Sequence, residues 1–508
     1  MNEVDRLKAL PAEDAKALLV AYAQENARLH RRIQEVVEEN AKLKGGNASE
    51  QLTMELGALQ EQMAALQRKM FGDSSERRPE EKKPKDKKPQ TGHGPREQPN
   101  LPIEHERYLL GEDDRTCPKC GGHLELLEGM TEDAEVIDMV ERRFVIKHRR
   151  CQKYGCGCTI HTAPKPVENI KGGRYTLQFA VGVALGKYCD HAPLTRQCRM
   201  MKQQGLEIDS QTLWDQIDAL ARHLVPTYDK LREYILGADV VGADETWWRL
   251  MGGGKGNSHK TKRWWAWSMT TPDAVWHGIA PSRSAEAARG YIGDFEGTLL
   301  VDGYKAYDTL AKDKSTLQLA HCWAHARRKF VEAEPNHPQC SEALDLIGQL
   351  FEVDRGTLDP TLLEGDAKLE AAEQRLAARE RDARPIIDKL RAWALEQRGL
   401  PKSGLRKAID YMLKYWDGLT VFLRDPYVPL DNNGTERALR GMVIGRKNHY
   451  GSRSKRGTEV AAILYSLVET AKLNDINVAD YLYTAAIFAI EFGQPLLPWD
   501  FAALPDEA

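Results

Sequence analysis

At about 150 residues per domain, the 508-residue chain is long enough for three or four domains, each with its own core. Its 72 Lys and Arg against 75 Asp and Glu leave a net charge of −3, with 42% apolar and 29% charged residues. That balance excludes a disordered or fibrous chain and a uniformly basic coat for nucleic acid, while leaving local basic patches open. No apolar run approaches the roughly 20 residues needed to span a bilayer, which gives no membrane partner. The early charges Glu3, Asp5, Arg6 and Lys8 rule out a secretory core, so the expected location is cytoplasmic.

The first predicted element is a coiled-coil arm over 1–71. Ala15, Leu19, Tyr22, Asn26, Leu29, Ile33, Val36, Asn40 and Leu43 alternate by four and three, a heptad seam in which two buried asparagines favour a dimer in fixed register. A homodimer or higher oligomer through this arm is expected. Gly45 and Gly46 interrupt the seam before Leu52, Leu56, Leu59, Met63, Leu66 and Met70 resume it. Residues 72–100 then carry five prolines among mixed charges and read as a linker.

Five of the nine cysteines lie between Cys117 and Cys158. In a reducing compartment that clustering predicts metal rather than disulfides. Cys117-Pro-Lys-Cys120-Gly-Gly is a tight knuckle that can offer two thiolates to one structural Zn²⁺, and a zinc ribbon is expected over 101–166. The second pair is chosen as Cys151 and Cys156, with Cys158 a close alternative and His161 a distant substitute. Arg142, Arg143, Lys147, Arg149, Arg150 and Lys153 give the ribbon a basic face suited to phosphate.

A helical domain follows over 172–236, with an apolar helix at 175–188, a second ending at Gly205, and a third over Gln211–Leu224. Asp209 or Ser210 can cap the third, whose Leu213, Trp214, Ile217, Leu220 and Leu224 share a face. This order resembles a helix-turn-helix, which nominates Gln211 and Thr212 as base readers and Arg196, Arg199 and Lys202 as phosphate contacts on double-stranded DNA.

Ala238 to Trp248 reads as a buried strand with Asp244 at its centre, followed by strand-like runs at 263–269 and 274–280. Six of the eleven tryptophans lie between 247 and 276, and they read as sheet core in preference to base-stacking platforms. A helix near 284–292 leads to Gly297-Thr-Leu-Leu-Val-Asp302, a second strand ending on an acid. A third acid, Glu436, opens a helix after the turn Asp431-Asn-Asn-Gly. Carboxylates brought together raise one another's pKa unless cations neutralise them. Asp239, Glu245 and Asp431 are alternative acids, although Glu245, adjacent to Asp244 on a strand, points to the opposite face.

These stretches resemble the three catalytic blocks of DDE transposases with a ribonuclease H-like core, in particular the large transposase subunit of the insertion sequence 66 family. The resemblance is carried, in the family's order, by Lys69-Met-Phe-Gly-Asp-Ser-Ser-Glu76, the ribbon, Gly242-Ala-Asp-Glu-Thr246, Val301-Asp-Gly-Tyr304, His321 to Phe330, Asp431 to Arg440 and Leu496-Leu-Pro-Trp499. Cys322-Trp-Ala-His325 is similar to the Cys-x-x-His signature after the second aspartate in such enzymes. The resemblance implies a bacterial transposase that cuts and joins element-end DNA, with Asp244, Asp302 and Glu436 holding two Mg²⁺ or Mn²⁺ ions. Small accessory proteins of the same element are possible partners. The implied architecture is multidomain α/β, with a DDE core over 237–490, an all-helical insertion near 340–425 and a tail at 491–508.

Residues 437–458 hold Arg437, Arg440, Arg446, Lys447, Arg453, Lys455 and Arg456 with no acid among them, a basic rim for DNA beside the third carboxylate. His337 and Cys340 read more readily as packed helix residues than as a second zinc site. The competing reading is a DNA-binding regulatory protein of the same ancestry that no longer cuts.

Overall fold

The computed structural model describes residues 119, 144–155, 160–163, 166–252, 261–293, 295–397 and 401–504. The chain divides into two units, one of them Arg77–Val145. The coiled-coil arm, the linker and most of the ribbon, with Cys117, Cys120, Cys156 and Cys158, lie outside the described residues. Of the ribbon, Cys151 is exposed with a free thiol. It precedes β1 (Lys153–Gly155), which pairs antiparallel with β2 (Ile160–Thr162). No helix among the described residues is long and apolar enough to cross a membrane.

Four helices come next: α1 (Leu177–Tyr188), α2 (Leu194–Gln203), α3 (Ser210–His223) and α4 (Val225–Leu236). α1 is apolar because it is enclosed, burying Leu177, Ala180, Val181, Val183, Ala184 and Tyr188. The chain leaves α2 through Gly205 at φ +85°, a conformation that favours glycine. Asp209 then caps α3, its carboxylate accepting from the backbone N–H groups of Gln211 and Thr212 at 2.8 Å each. Leu213, Ile217 and Leu220 turn the apolar face of α3 into the core, as their spacing predicts.

A five-stranded mixed sheet in the order β5-β4-β3-β6-β7 forms the centre. β3 (Val240–Leu250), β4 (Lys262–Thr270) and β5 (Val275–Ala280) make an antiparallel meander. After α5 (Ala285–Ile292), β6 (Gly297–Val301) pairs parallel with β3, and α6 (Lys305–Asp313) leads to β7 (Leu317–His321), parallel to β6. β3 outlasts β6, with which it pairs only over Val240–Gly242.

α7 (Trp323–Ala333) opens a helical region comprising α8 (Cys340–Arg355), α9 (Gly365–Ala378), a π-helical turn at Arg379–Ala383, α10 (Arg384–Glu396), α11 (Gly404–Lys414) and α12 (Trp416–Leu419). It has a core of its own that includes Phe330, Ile347, Leu390, Ile409 and Met412. Arg379 lies fully buried at its centre, paired with Asp354 at 2.6 Å and donating to the carbonyls of Phe422, Asp425 and Val428 at 2.9 to 3.1 Å. A cation so enclosed persists because its N–H groups are spent on acceptors.

α13 (Asn433–His449) and α14 (Lys455–Leu473) then cover one face of the sheet, followed by α15 (Val478–Phe492) and α16 (Pro498–Ala502). α14 also seals the outer edge of β5. Thr470 bonds both the N–H and the carbonyl of Val275 at 3.0 Å, and the Ser466 hydroxyl accepts from the His277 N–H at 2.8 Å.

Candidate active site

Asp244 lies in β3, and the parallel register Val241↔Leu299, Gly242↔Leu300, continued by two residues, sets it beside Asp302 just beyond the end of β6. Burial first, then the charges of Glu245, Asp302 and Glu436, push the Asp244 carboxyl up to about 8. Asp302 and Glu436, singled out in the sequence, thus both stand within electrostatic reach of Asp244. Among the described residues no three His, Cys, Asp or Glu side chains are closed into a ready-made metal cage.

The turn carrying Asp302 is fixed from two sides. Its own carboxylate accepts from the Tyr304 N–H at 2.9 Å, and α11 grips its backbone, with Tyr411 donating to the Asp302 carbonyl at 2.5 Å and Tyr415 to the Gly303 carbonyl at 2.6 Å. Gly303 takes φ +92° with the Tyr415 ring packed against it, so a side chain there would be both strained and obstructed.

Glu436 stands in the first turn of α13, whose entry is held by the Cys-x-x-His segment. The Asn432 N–H donates to Cys322 Sγ at 3.2 Å, the Trp323 N–H to the Leu430 carbonyl at 2.8 Å, and His325 Nε2 lies 3.4 Å from Glu436 Oε1. From the other side Asn432 donates to the Ala243 carbonyl at 2.9 Å, next to Asp244, and accepts from Thr435 at 2.6 Å. Gly242 makes this approach feasible, because a Cβ there would overlap the Thr435 hydroxyl.

Glu245 takes the opposite face, as strand alternation predicts. It accepts from the Tyr307 hydroxyl at 2.6 Å and is paired with Arg283. Asp431 bonds the Asn433 N–H at 3.0 Å as a turn residue, and burial pushes its carboxyl up. Asp239 offers its carbonyl to the Thr298 N–H at 2.8 Å, below the acids.

Of the basic rim, Arg437, Arg440, Lys447, Arg453 and Lys455 are exposed. Arg446 is buried at 6% exposure, its guanidinium 3.7 Å from the Trp247 ring centroid and donating to Thr246 Oγ1. Arg456 is paired with Asp218 at 2.6 Å and Glu459 at 3.1 Å. In the helix-turn-helix-like segment Arg196, Arg199, Lys202 and Gln211 are exposed, and Lys202 lies 3.2 Å from Glu207. Gln211 donates to Asp215, and the Thr212 hydroxyl to Asp209. Cys340 opens α8 and is fully buried, and His337 lies three residues before it.

Sequence reasoning missed Tyr411, Tyr415, Arg283, Tyr307 and Arg379. Each acts on a partner far away in the chain, with no motif to flag it.

A family model described as Transposase IS66 family matches residues 172–460, more than half of the chain. Three Sinorhizobium fredii (strain NBRC 101917 / NGR234) proteins, each named only as uncharacterized, are similar in sequence. The protein y4jD is 31% identical over 79% of this chain and 82% of its own. The protein y4hP is 29% identical over 78% and 75%, and y4qI is 28% identical over 96% of both. The matched segment spans the whole acid-bearing sheet and most of the helices that cover it, so the class is that of the transposases. The chain belongs to the IS66 transposase family.

Proposed function

We propose that the protein is the DNA-cutting and DNA-joining transposase of an insertion sequence, with Asp244, Asp302 and Glu436 as its catalytic acids on a ribonuclease H-like core. The observation that carries this reading is the β3–β6 register that sets Asp244 beside Asp302 at the end of β6, where burial and the neighbouring acids raise the Asp244 carboxyl to about 8. Such a group favours its charged form only with a cation close by. The donors are all carboxylate oxygens, the chemistry that suits Mg²⁺ or Mn²⁺. Two such ions, when bound, would activate water or a DNA 3′-hydroxyl and stabilise the leaving oxygen.

The protein's own part is to hold the acids and the strand. Tyr411 and Tyr415 brace the backbone of the Asp302 turn. Asn432, Cys322 and Trp323 fix the entry to the helix that carries Glu436, and His325 faces that carboxylate. The exposed Arg437, Arg440, Lys447, Arg453 and Lys455 supply phosphate contacts. Arg196, Arg199 and Lys202 do the same for a duplex at α2, with Gln211 and Thr212 at the start of α3 as its base readers. A structural Zn²⁺ on Cys117, Cys120, Cys151 and Cys156, and dimerisation through 1–71, belong to this reading. The free Cys151 thiol, and β1 and β2 flanking the segment that holds Cys156 and Cys158, are compatible with it.

The test is cleavage and strand transfer on the element's own end DNA with Mg²⁺, comparing wild type with Asp302→Ala. Loss of activity with DNA binding retained is the expected result. Equal activity removes the catalytic assignment, and a wild type that binds without cutting favours a regulatory DNA-binding protein.

A further inference from the structure

From the Asp302 turn a ledge in which aromatic rings and guanidinium groups alternate runs along the Glu245 face of β3, opposite Asp244. It begins at Tyr304, two residues beyond Asp302, whose ring centroid lies 3.7 Å from the Arg283 guanidinium. The same guanidinium is 4.8 Å from the Trp265 ring, and Trp265 is the cross-strand partner of Trp247. Arg446, from the helix that carries Glu436, closes the series 3.7 Å from the Trp247 ring. Both guanidiniums are immobilised, Arg283 by Glu245 and Arg446 by Thr246 and the Trp247 carbonyl.

Within the sheet Trp248, Trp267 and Trp276 are buried to 2% or less, whereas Trp247 is 38% exposed. Core packing does not account for an indole left in water on top of a locked cation. We infer that this ledge, with Trp247 as its platform, binds unpaired nucleotides of the DNA strand where it passes the Asp302 turn. An exposed ring backed by fixed positive charge matches the flat face of a base together with its phosphate, and a duplex hides the base faces that such a ring engages. This inference deepens the transposase reading by naming the state of the DNA at the site, and rests on it for the location of the reacting phosphate.

The full-length protein, at one fixed ionic strength, is tested with a labelled mixed-sequence single-stranded oligodeoxynucleotide and with the blunt duplex of the same sequence. Trp247→Ala is expected to weaken single-strand binding about tenfold or more while leaving duplex binding unchanged, and Trp247→Phe to retain most of the affinity. In cleavage, an end duplex with unpaired bases beside the scissile phosphate should lose its advantage over the fully paired duplex in Trp247→Ala. Should the alanine variant fail to fold, as judged by its unfolding midpoint, Trp247→Leu carries the same expectation, being apolar but without a flat face.

Single-strand affinity equal to wild type overturns the inference. So does an equal loss on single strand and duplex, which would make the ledge a general charge effect. A wild type with no metal-dependent cleavage but a Trp247-dependent preference for single strands leaves the ledge standing and removes the transposase reading.

Discussion

Tyr411 donates its hydroxyl to the main-chain carbonyl of Asp302 at 2.5 Å, across 109 residues of sequence. One turn later Tyr415 does the same for Gly303 at 2.6 Å, while Arg379 ties down the carbonyls of Phe422, Asp425 and Val428 on the way to Glu436. The helical region between the second and third acids is therefore a brace for both of them.

Removing the two tyrosine hydroxyls tests the brace. Tyr411→Phe/Tyr415→Phe keeps the rings and loses two hydrogen bonds, which should cost about 1 to 3 kcal/mol in unfolding free energy. The single-turnover cleavage rate should fall about tenfold or more, because a displacement at a reacting centre is costly even when the fold survives. Measured Mg²⁺ dependence should shift to higher concentration, a change that a purely global loss of stability would not produce.

Glu245 and Asp244, adjacent in sequence, should behave as different kinds of residue. Glu245→Ala leaves Arg283 and the Tyr307 hydroxyl without their buried partner and should destabilise the fold by about 3 to 5 kcal/mol, read by denaturant unfolding. Asp244→Asn should leave stability equal to or above that of wild type in metal-free buffer, since it removes a carboxylate disfavoured by burial, and should abolish cleavage.

Mg²⁺ binding should depend steeply on pH. With the Asp244 carboxyl raised to about 8, the metal must displace a proton below that pH, so apparent affinity should fall about tenfold per unit on acidification. Without metal the sign reverses. A carboxyl whose folded pKa lies above its unfolded value contributes stability below about 4 that is lost as the pH rises through about 8. Unfolding midpoints with and without Mg²⁺ at several pH values should therefore diverge as the pH rises, and coincide in Asp244→Asn.

Acid should unfold the protein through its enclosed histidines. Burial pushes His277 and His449 down to about 3 and His321 to about 4, from 6.5. Groups lowered in this way contribute stability that is complete above 6.5 and is lost as the pH falls through that window toward their folded values. His277 is fully buried with neither ring nitrogen hydrogen-bonded among the described residues. His277→Leu should flatten the decline in unfolding free energy between about pH 6.5 and about pH 4, and should match or exceed wild type near pH 5.

Four of the five strands were legible as apolar runs, while β7 (Leu317–His321), five residues between two helices, was not singled out. Asp244 and Asp302 stood out because one interrupts and the other ends such a run, and Glu436 because it opens a helix after an Asn-rich turn. The charge run at 437–458 reads as one continuous rim, but it cannot reveal that α13 turns Arg446 under Trp247 while leaving Arg440 and Lys447 in solvent. Tyr411 and Arg379 stood among ordinary helix residues, since what defines them is a carbonyl presented from a distant segment. The tryptophans split in the same way. The strand pattern reads the six between 247 and 276 as core, whereas Trp248 is fully buried and its neighbour Trp247 is 38% exposed, a difference that depends on which face of β3 each takes.

The seal on β5 carries a cost in time. The hydroxyls that occupy its outer edge, Ser466 and Thr470, are synthesised 189 and 195 residues after the groups they bond. At about 5 to 20 residues per second, a ribosome leaves that apolar strand with an open edge for roughly 10 to 40 s. An unpaired strand edge is a template for pairing with another chain. Nascent chains crowded on one message are therefore most at risk of sticking to one another in the interval between completing the meander and completing α14, and holding that strand apart is the service this fold asks of a chaperone.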